Sequence, residues 1–241
     1  MQMWSRGLPV FVWPSFVSMV CLSLAGPATA AAADNSLQQV LARMDKAAAD
    51  FKAMTAQVTY VTHVDVLNEN TKETGTVIMK KVQPGEMQGR VDFTAPDPKI
   101  VTIEKRRGQQ YLPKINTLQK YDLDKHGPQL DKFFMIGFGT SGTELAASYD
   151  VTILASEPAT GPAVTRLQLV PKDAEAKHYI QKVELWIPEQ GDPYPLREKI
   201  FEPSRDYILV TCSDLKINPP LQPDALQLKL PPGVKIESPG K

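Results

Sequence analysis

Cysteine is almost absent from this chain of 241 residues, which contains only Cys21 and Cys212. One cysteine in the N-terminal apolar stretch and one in the body of the chain cannot form the disulfide framework that stabilises many small secreted domains. An excess of charge of one sign is also lacking, because lysine plus arginine and aspartate plus glutamate number 27 each. The chain therefore has no basic excess of the kind that nucleic-acid binders show.

Motifs of catalysis and metal binding are missing as well. His63, His126 and His178 stand in separate segments, without the H-x-x-x-H or C-x-x-C spacing of zinc sites. No G-x-S-x-G nucleophile elbow occurs, and the scattered carboxylates leave a glycosidase pair open without pointing to one. Cys212 lies in an alternating segment, where a cysteine is usually a buried small hydrophobe. These absences favour a binding protein without a cofactor over an enzyme.

The N-terminus has the order of a secretory signal peptide. Arg6 precedes an apolar stretch at residues 16–25, which leads into small residues in an A-x-A pattern. We expect residues 1–30 to be a cleaved signal peptide and residues 31–241 to form one secreted domain of about 210 residues. The apolar stretch is too short to span a membrane as a mature helix. A lipoprotein attachment site at Cys21 is the weaker alternative, because the residue before it is not small.

The period of the apolar residues changes once along the rest of the chain. After an N-cap at Ser36, helical spacing predicts one amphipathic helix that ends near Met54. Segments of period two follow between turns, and predict about ten or eleven strands. These segments are residues 58–66, 75–82, 87–94, 99–105, 151–155, 164–170, 180–187, 196–201, 207–217 and 226–230. Short connections predict an antiparallel, strongly curled or barrel-like sheet, and the charged residues 104–127 are interpreted as a loop region.

Gly137, Gly139 and Gly142 have the G-x-G-x-x-G spacing of a dinucleotide-binding loop. Such a loop needs a strand, a tight turn and a crossover helix between parallel strands. Here the capping-box sequence from Ser141 to Glu144 opens a helix of only about two turns before the next strand. That helix is too short for a crossover. The glycines more simply join two short helical pieces and act as hinges.

An almost continuous apolar run stands before and among these glycines: Phe133, Phe134, Met135, Ile136 and Phe138. A helix with so little polar surface must be buried, or must act as a movable cover over an apolar cavity. Methionine and phenylalanine suit both roles, because they fill a core and also adapt to ligands of irregular shape. The residues alone leave both interpretations open and favour core packing.

Three further motifs carry a family resemblance. "GTVIMKK" (residues 75–81) has a glycine, alternating apolar residues and a basic pair, and "GRVDFTAP" (residues 89–96) is a basic and aromatic strand that runs into proline. "LQLKLPPGVKI" (residues 226–236) has the form of a closing strand and turn. Their order resembles that of the periplasmic outer-membrane lipoprotein carriers, the LolA-like proteins, over nearly the whole predicted mature chain. Val91 stands where an aromatic residue is usual in that family.

The resemblance implies an incomplete antiparallel barrel whose apolar concave face is covered by helices that act as a lid. The lid would consist of the apolar run up to Phe138 and the helix that carries Leu145, with the glycines between them as joints. Lys81 stands where the family has the arginine that latches the lid, although a lysine is a point charge without a planar fork. The expected lipid-cavity residues, chosen as apolar phases of neighbouring strands, are Val77, Met79, Met87, Val91, Phe93, Val101, Ile103, Leu167, Leu169, Val183, Leu185 and Ile187.

The function implied by the resemblance is the transport of lipoproteins across the periplasm by their acyl chains. The implied partners are an inner-membrane lipoprotein-releasing ABC transporter and an outer-membrane acceptor, and we expect a monomer with no nucleic-acid partner. Burial of acyl chains gains about 0.8 kcal/mol per methylene, so a carrier must bury many carbons and must cover the empty cavity. The alternative is a periplasmic regulatory domain that senses lipid or lipoprotein, as in anti-sigma-factor-binding proteins.

Overall fold

The computed structural model describes residues 28–83, 86–105, 107–122, 136–154 and 162–239. Within these residues, two helices accompany one sheet of twelve strands. The helices are α1 (Ala28–Asp50) and α2 (Gly142–Ser148), and two 3-10 turns occupy Pro113–Ile115 and Ala176–His178. The strands are β1 (Ala53–Val64), β2 (Glu69–Gln83), β3 (Glu86–Ala95), β4 (Lys99–Glu104), β5 (Arg107–Leu112), β6 (Thr117–Asp122), β7 (Tyr149–Leu154), β8 (Val164–Pro171), β9 (Lys182–Pro188), β10 (Arg197–Phe201), β11 (Tyr207–Ile217) and β12 (Lys235–Glu237).

The strands form one open, curled sheet in the order β12-β6-β5-β4-β3-β2-β1-β11-β10-β9-β8-β7. Strand twist accumulates over so many strands and curls the sheet. β1 and β2 are joined as a long hairpin, in which Ala53 pairs with Lys80 and Val64 with Glu69. The pairs are antiparallel except for β12 and β6, which run parallel. The predicted mostly β, curled and incomplete antiparallel barrel is confirmed. The signal peptide, of which residues 1–27 lie outside the described residues, and the single domain stay predictions.

Three local predictions are wrong. α1 begins at Ala28, before the predicted N-cap at Ser36, and it ends at Asp50, earlier than predicted, because Ala53 and Met54 already pair with β2. The charged region interpreted as a loop forms the β5–β6 hairpin, in which Tyr111 pairs with Leu118 and both are buried. Residues 226–230 are not a strand. They belong to a segment that crosses the sheet, and the closing strand comes later, as β12.

One face of the sheet, called the inner face below, carries the main hydrophobic cluster. Side chains alternate along a strand, so residues that pair directly across strands share a face. One such row crosses β1, β11, β10, β9 and β8 through Tyr60, Val210, Glu198, Leu185 and Leu167. All five side chains are buried. The inner face is therefore apolar along this row, with a single carboxyl group in its middle.

Both helices pack on the inner face. α1 contributes Val40 and Met44 to the hydrophobic cluster, Phe51 follows directly after its last residue, and α2 contributes Leu145. The α1 residues recur at helical spacing and so form one stripe along the helix. Burial of each such side chain stabilises the fold by about 1.5–3 kcal/mol. Within the described ranges, neither helix combines the length and apolarity that crossing a membrane requires.

The opposite, outer face holds a second buried carboxylate, Glu184, on β9. Lys182 and Arg166 each place a side-chain nitrogen 2.6 Å from one of its oxygens. Burial opposes ionisation here, but the hydrogen bonds from Lys182 and Arg166 hold the pKa of Glu184 below its usual value. This carboxylate is fully paired and contrasts with Glu198, one strand away on the inner face.

Candidate binding site on the inner face

The structure brings the twelve predicted cavity residues together on the inner face. Ile103 shares this face because it pairs with Gly89, which in turn pairs with Met79. Met87 and Val91 are partly buried and pack against the hydrophobic cluster. The remaining nine predicted residues belong to the cluster itself: Val77, Met79, Phe93, Val101, Leu167, Leu169, Val183, Leu185 and Ile187. That this face binds lipid stays a prediction.

The predicted lid is described only in part. Three of its residues lie outside the described residues: Phe133, Phe134 and Met135. Ile136 and Phe138 lie in a turn, not in the helix that the resemblance implied. Phe138 is 2% exposed and belongs to the hydrophobic cluster. We call residues 136–141 the glycine loop; its Gly137 and Phe138 are buried in the packed core.

The backbone of the glycine loop explains why no helix forms there. Gly137 and Gly139 adopt φ values of +94° and +73°, a region in which only glycine is free of strain. Neither position has room for a side chain. A Cβ atom on Gly137 would lie 2.8 Å from Pro195 Cγ, and one on Gly139 would lie 2.9 Å from Phe51 Cδ1. The hinge role of the two glycines stays a prediction, whereas their tight packing is a structural finding.

Three aromatic rings fix the glycine loop to the rest of the protein. Phe138 stacks on Tyr194 with ring centroids 5.6 Å apart, and Phe51 lies 5.7 Å from Tyr194 and 6.5 Å from Phe138. The Tyr194 hydroxyl donates to the Ala47 carbonyl at 3.0 Å. Burial, with the carboxylates of Asp192 and Asp50, raises the pKa of Tyr194 to about 12. The three aromatic rings and the Tyr194 hydroxyl therefore connect α1, the glycine loop and the β9–β10 connection.

The predicted capping box at the start of α2 is confirmed. The Ser141 hydroxyl accepts from the Glu144 backbone N–H at 3.1 Å, and the Glu144 carboxylate accepts from the Ser141 N–H at 2.8 Å. These bonds satisfy N–H groups that a helix end otherwise leaves free. Leu145, a predicted lid residue, is 1% exposed beneath α2. The buried Leu145 side chain thus anchors α2 on the inner face.

α2 crosses α1 at very close range. A Cβ atom on Gly142 would lie 2.2 Å from the Leu41 carbonyl oxygen, so only glycine fits at the crossing. Asp45 of α1 accepts from the backbone N–H of Thr143 at 2.8 Å and from its hydroxyl at 3.2 Å. Gly142 has no positive φ. Its observed role is close helix packing, and its predicted hinge role is untested.

Lys81, the predicted latch, lies at the end of α1. Its Nζ donates to the Ala48 carbonyl at 3.2 Å, and its backbone N–H donates to the Lys52 carbonyl at 2.8 Å. Beside it, a groove of about 400 Å³ opens between α1 and the glycine loop. The groove is lined by Asp45, Ala48, Ala49, Lys81, Met87, Phe138, Gly139, Thr140, Ser141 and Glu144. Lys81 therefore stands at an opening that adjoins both the predicted lid and the predicted cavity residue Met87. Its latch role stays a prediction.

Glu198 is the most unusual group of the site. Its side chain is buried in the apolar row of the inner face, at 2% exposure. Both of its carboxyl oxygens lie 3.2 Å from the Ile136 backbone nitrogen, which donates to them. Burial raises the pKa of Glu198 to about 8, against a smaller opposing effect of the Ile136 hydrogen bond. A carboxyl group inside the core thus holds the first residue of the glycine loop.

Sequence reasoning missed Glu198, Asp45 and Tyr194. A signal for Glu198 was present, because it stands two residues before Ile200 in the apolar phase of an alternating strand. Asp45 and Tyr194 gave no such signal, since one lies on the polar side of an amphipathic helix and the other in a proline-rich connection. Their roles depend on contacts between distant parts of the chain.

Solved structures are similar to this one in fold. An uncharacterised conserved protein from Thermus thermophilus is 15% identical over 84% of this chain and 99% of its own, with a TM-score of 0.50. MucB is 15% identical over 81% of this chain and 63% of its own, also with a TM-score of 0.50. A LolA superfamily protein from Nitrosomonas europaea is 14% identical over 80% and 97%, with a TM-score of 0.42. The similarity to the first two of these structures shows a shared fold.

At these identities the similarity concerns the fold alone. No known family profile matches the sequence, and no curated protein matches it either. Within the described residues, no cluster of three or more histidine, cysteine, aspartate or glutamate side chains could hold a metal ion. Burial and the charge of Glu198 raise the pKa of the Cys212 thiol to about 12, so little thiolate is present near neutral pH.

A larger cavity of about 880 Å³ lies away from the inner core, between β4, β5 and residues 221–228 of the C-terminal segment. Most of the sheet residues that line it are polar, among them Lys80, Gln88, Glu104 and Arg107. Acyl chains require an apolar lining. The inner face of the sheet is therefore the better candidate for an apolar ligand, although its described opening is the smaller of the two.

Proposed function

We propose that this protein is a periplasmic carrier that binds the acyl chains of lipoproteins on its inner face. It receives them from an inner-membrane lipoprotein-releasing ABC transporter and transfers them to an outer-membrane acceptor. The observation that carries the proposal is the extended apolar inner face, which runs from Val77 on β2 to Leu169 on β8 and contains Glu198 as its buried carboxyl group. α2 and the glycine loop cover this face. The LolA-like fold and the predicted signal peptide are consistent with it.

The energetics of an acyl chain fit such a face. Each buried methylene contributes about 0.8 kcal/mol, so one long chain compensates for several lost side-chain contacts. In the described state, Phe138 and Leu145 occupy the inner face. An acyl chain can therefore bind when α2 and the glycine loop move away and the chain takes over their contacts. The cover in turn keeps the empty apolar face out of water.

The groove between α1 and the glycine loop offers a matched test of where the chain enters. Ala49 lines the groove and is exposed, whereas Ala147, on α2, is exposed and is not among the lining residues. We expect Ala49→Trp to slow the uptake of a fluorescent acyl probe, because the indole ring covers the groove. Ala147→Trp should leave uptake unchanged. Equal uptake by the wild type and both variants would contradict an entrance at this groove.

Transport itself is tested with lipoprotein-loaded vesicles. We expect the protein to release an acylated lipoprotein from vesicles that contain the transporter, and native mass spectrometry to find the two as a complex. Extraction of the protein purified from a periplasm without detergent should yield an acylated peptide or a phospholipid. A ligand-free mass that stays unchanged after incubation with loaded vesicles would contradict the carrier function.

A regulatory role is the second candidate, and the fold similarity to MucB, at a TM-score of 0.50, is the observation that favours it. This chain spans 63% of the length of that protein. A sensor would bind lipid at the same inner face but would form a stable complex with a membrane regulator. Release of lipoprotein from vesicles without such a complex favours the carrier, and the opposite result favours the sensor.

A further inference from the structure

Among the described residues, Glu198 is the only carboxyl side chain that is fully buried on the inner face. It pairs across the sheet with Val210 on one side and Leu185 on the other. Tyr60 and Leu167 continue the same row. Burial of a polar group in such surroundings costs folding free energy unless the group is hydrogen-bonded. The hydrogen-bond partner of Glu198 therefore indicates its role.

The partner is the backbone of the glycine loop. The Ile136 N–H donates to Glu198 Oε1 and Oε2, with both nitrogen to oxygen distances at 3.2 Å. Two residues later, Phe138 stacks on Tyr194. The start of the loop is thus held over β10 by a carboxyl group, and its middle is held by an aromatic contact. Of these two attachments, only the first lies within the cross-strand row of the inner face.

We propose that Glu198 is the positioning residue that closes the inner face, by holding the chain at Ile136 against β10. An acyl chain can lie along the row through Leu185 and Val210 only after this hydrogen bond has broken. The effect of this closure on lipid binding rests on the proposed carrier function. The closure itself can be measured without any ligand.

The surroundings of Glu198 make this closure sensitive to pH. Tyr60 on β1 and Cys212 on β11 are the titratable groups that face it; burial and the charge of Glu198 raise the pKa of both. Both of these groups are neutral near pH 7. Among the other neighbours of Glu198 are the Leu185 side chain on β9 and the Ile136 amide of the glycine loop. Burial raises the pKa of Glu198 to about 8 in the closed form, although the Ile136 hydrogen bond acts in the opposite direction, and an opening that admits water returns the pKa toward 4.5. Closure is therefore complete below about pH 4.5 and weakens as the pH rises to about 8.

Hydrogen exchange at the Ile136 amide tests the closure directly. Glu198→Met removes the acceptor at similar side-chain length, and Glu198→Gln keeps a carbonyl acceptor without an ionisable group. We expect Ile136 to exchange at least about fivefold faster in Glu198→Met, because one buried hydrogen bond is lost. Glu198→Gln should protect Ile136 at least as well as the wild type. Exchange at the wild-type rate in a folded Glu198→Met variant would overturn the proposal.

Glu184→Gln is the matched control. Glu184 is also a buried carboxylate, on the neighbouring strand, but it lies on the outer face between Arg166 and Lys182. We expect its substitution to leave Ile136 exchange unchanged. A similar increase at Ile136 in both variants would show general loosening of the sheet and would overturn the specific role of Glu198.

The pH dependence keeps the proposal testable if Glu198→Met fails to fold. After correction for the intrinsic pH dependence of amide exchange, opening at Ile136 in the wild type should increase by up to about tenfold per pH unit between about pH 5 and 8, and then level off. Glu198→Gln should show a flat profile. A flat profile in the wild type, or the same slope in both proteins, would overturn the proposal.

Uptake of a fluorescent acyl probe separates this inference from the proposed function. Faster uptake by Glu198→Met than by the wild type, with Glu184→Gln unchanged, supports both. If no protein binds the probe while Ile136 responds as expected, the carrier function fails and the closure by Glu198 stands. If all variants bind the probe at one rate and Ile136 exchange is unchanged, the closure fails and the carrier function stands.

Discussion

Phe138 stacks on Tyr194, with ring centroids 5.6 Å apart and ring planes only 10° from parallel. Phe138 belongs to the glycine loop, and Tyr194 to the connection between β9 and β10. The Tyr194 hydroxyl continues the contact to α1 through the Ala47 carbonyl. This contact connects the glycine loop to the β9–β10 connection and to α1. Its removal should therefore increase the mobility of the glycine loop more than that of the sheet.

Phe138→Ala should reduce the free energy of unfolding by about 3–5 kcal/mol, the usual cost of removing a buried phenylalanine ring. Urea unfolding followed by tryptophan fluorescence measures this change. Phe138→Leu is the control, because leucine retains much of the buried area and should cost less. A loss below about 1 kcal/mol in Phe138→Ala would mean that the ring contributes little to the core in solution.

Gly142→Ala should separate α2 from α1. The added Cβ atom would lie 2.2 Å from the Leu41 carbonyl oxygen, which is backbone and cannot move without the helix. We expect a loss of about 1–3 kcal/mol, the range for overpacked positions, and faster amide exchange in α2. Ala146→Gly, in the same helix, removes a Cβ atom without a clash and tests for simple loss of helix propensity. An unchanged stability in Gly142→Ala would contradict the close crossing.

Glu198 should make the protein less stable as the pH rises. Its pKa is about 8 in the folded state against 4.5 in water, so the folded state binds this proton more tightly. Stability associated with the group is full below about pH 4.5 and is lost by about pH 8. We expect Glu198→Gln to be more stable than the wild type at pH 8 by a few kcal/mol and similar to it at pH 4. Urea midpoints at both pH values check this, and a constant difference between the proteins would contradict it.

Lys81→Met distinguishes a helix-end role from a latch. Its Nζ donates to the Ala48 carbonyl, near the negative end of the α1 dipole. We expect a loss of about 1 kcal/mol in the free energy of unfolding and no change in exchange at Ile136. Lys81→Arg should retain the stability. Faster exchange at Ile136 in Lys81→Met, at unchanged global stability, would instead support the predicted latch.

The strand pattern could be predicted from the sequence because the inner-face residues alternate strictly. Val183, Leu185 and Ile187 occupy one phase of β9, and all three are fully buried. β5 and β6 were missed because their buried residues, Tyr111 and Leu118, stand among charged and amide side chains. The position of the closing strand could not be read either, since β12 depends on pairing with the distant β6.

The candidate site was harder to predict than the fold. Apolar composition predicted a helix through Phe138, but Gly137 and Gly139 have positive φ values that no neighbouring residue signals. The crossing at Gly142 and the contact of Glu198 with Ile136 join residues far apart in the chain. Local patterns specify which face is apolar. They do not specify which backbone group meets a buried carboxyl group.

Photo-crosslinking with a long-chain acyl probe that carries a diazirine near its end tests the central claim most directly. After irradiation, peptide mapping by mass spectrometry identifies the labelled strands. We predict labels on inner-face residues such as Met79, Leu169 and Leu185, and less labelling in the presence of an unlabelled acylated peptide. Labels confined to the polar cavity beside residues 221–228, or no specific label, would contradict the account.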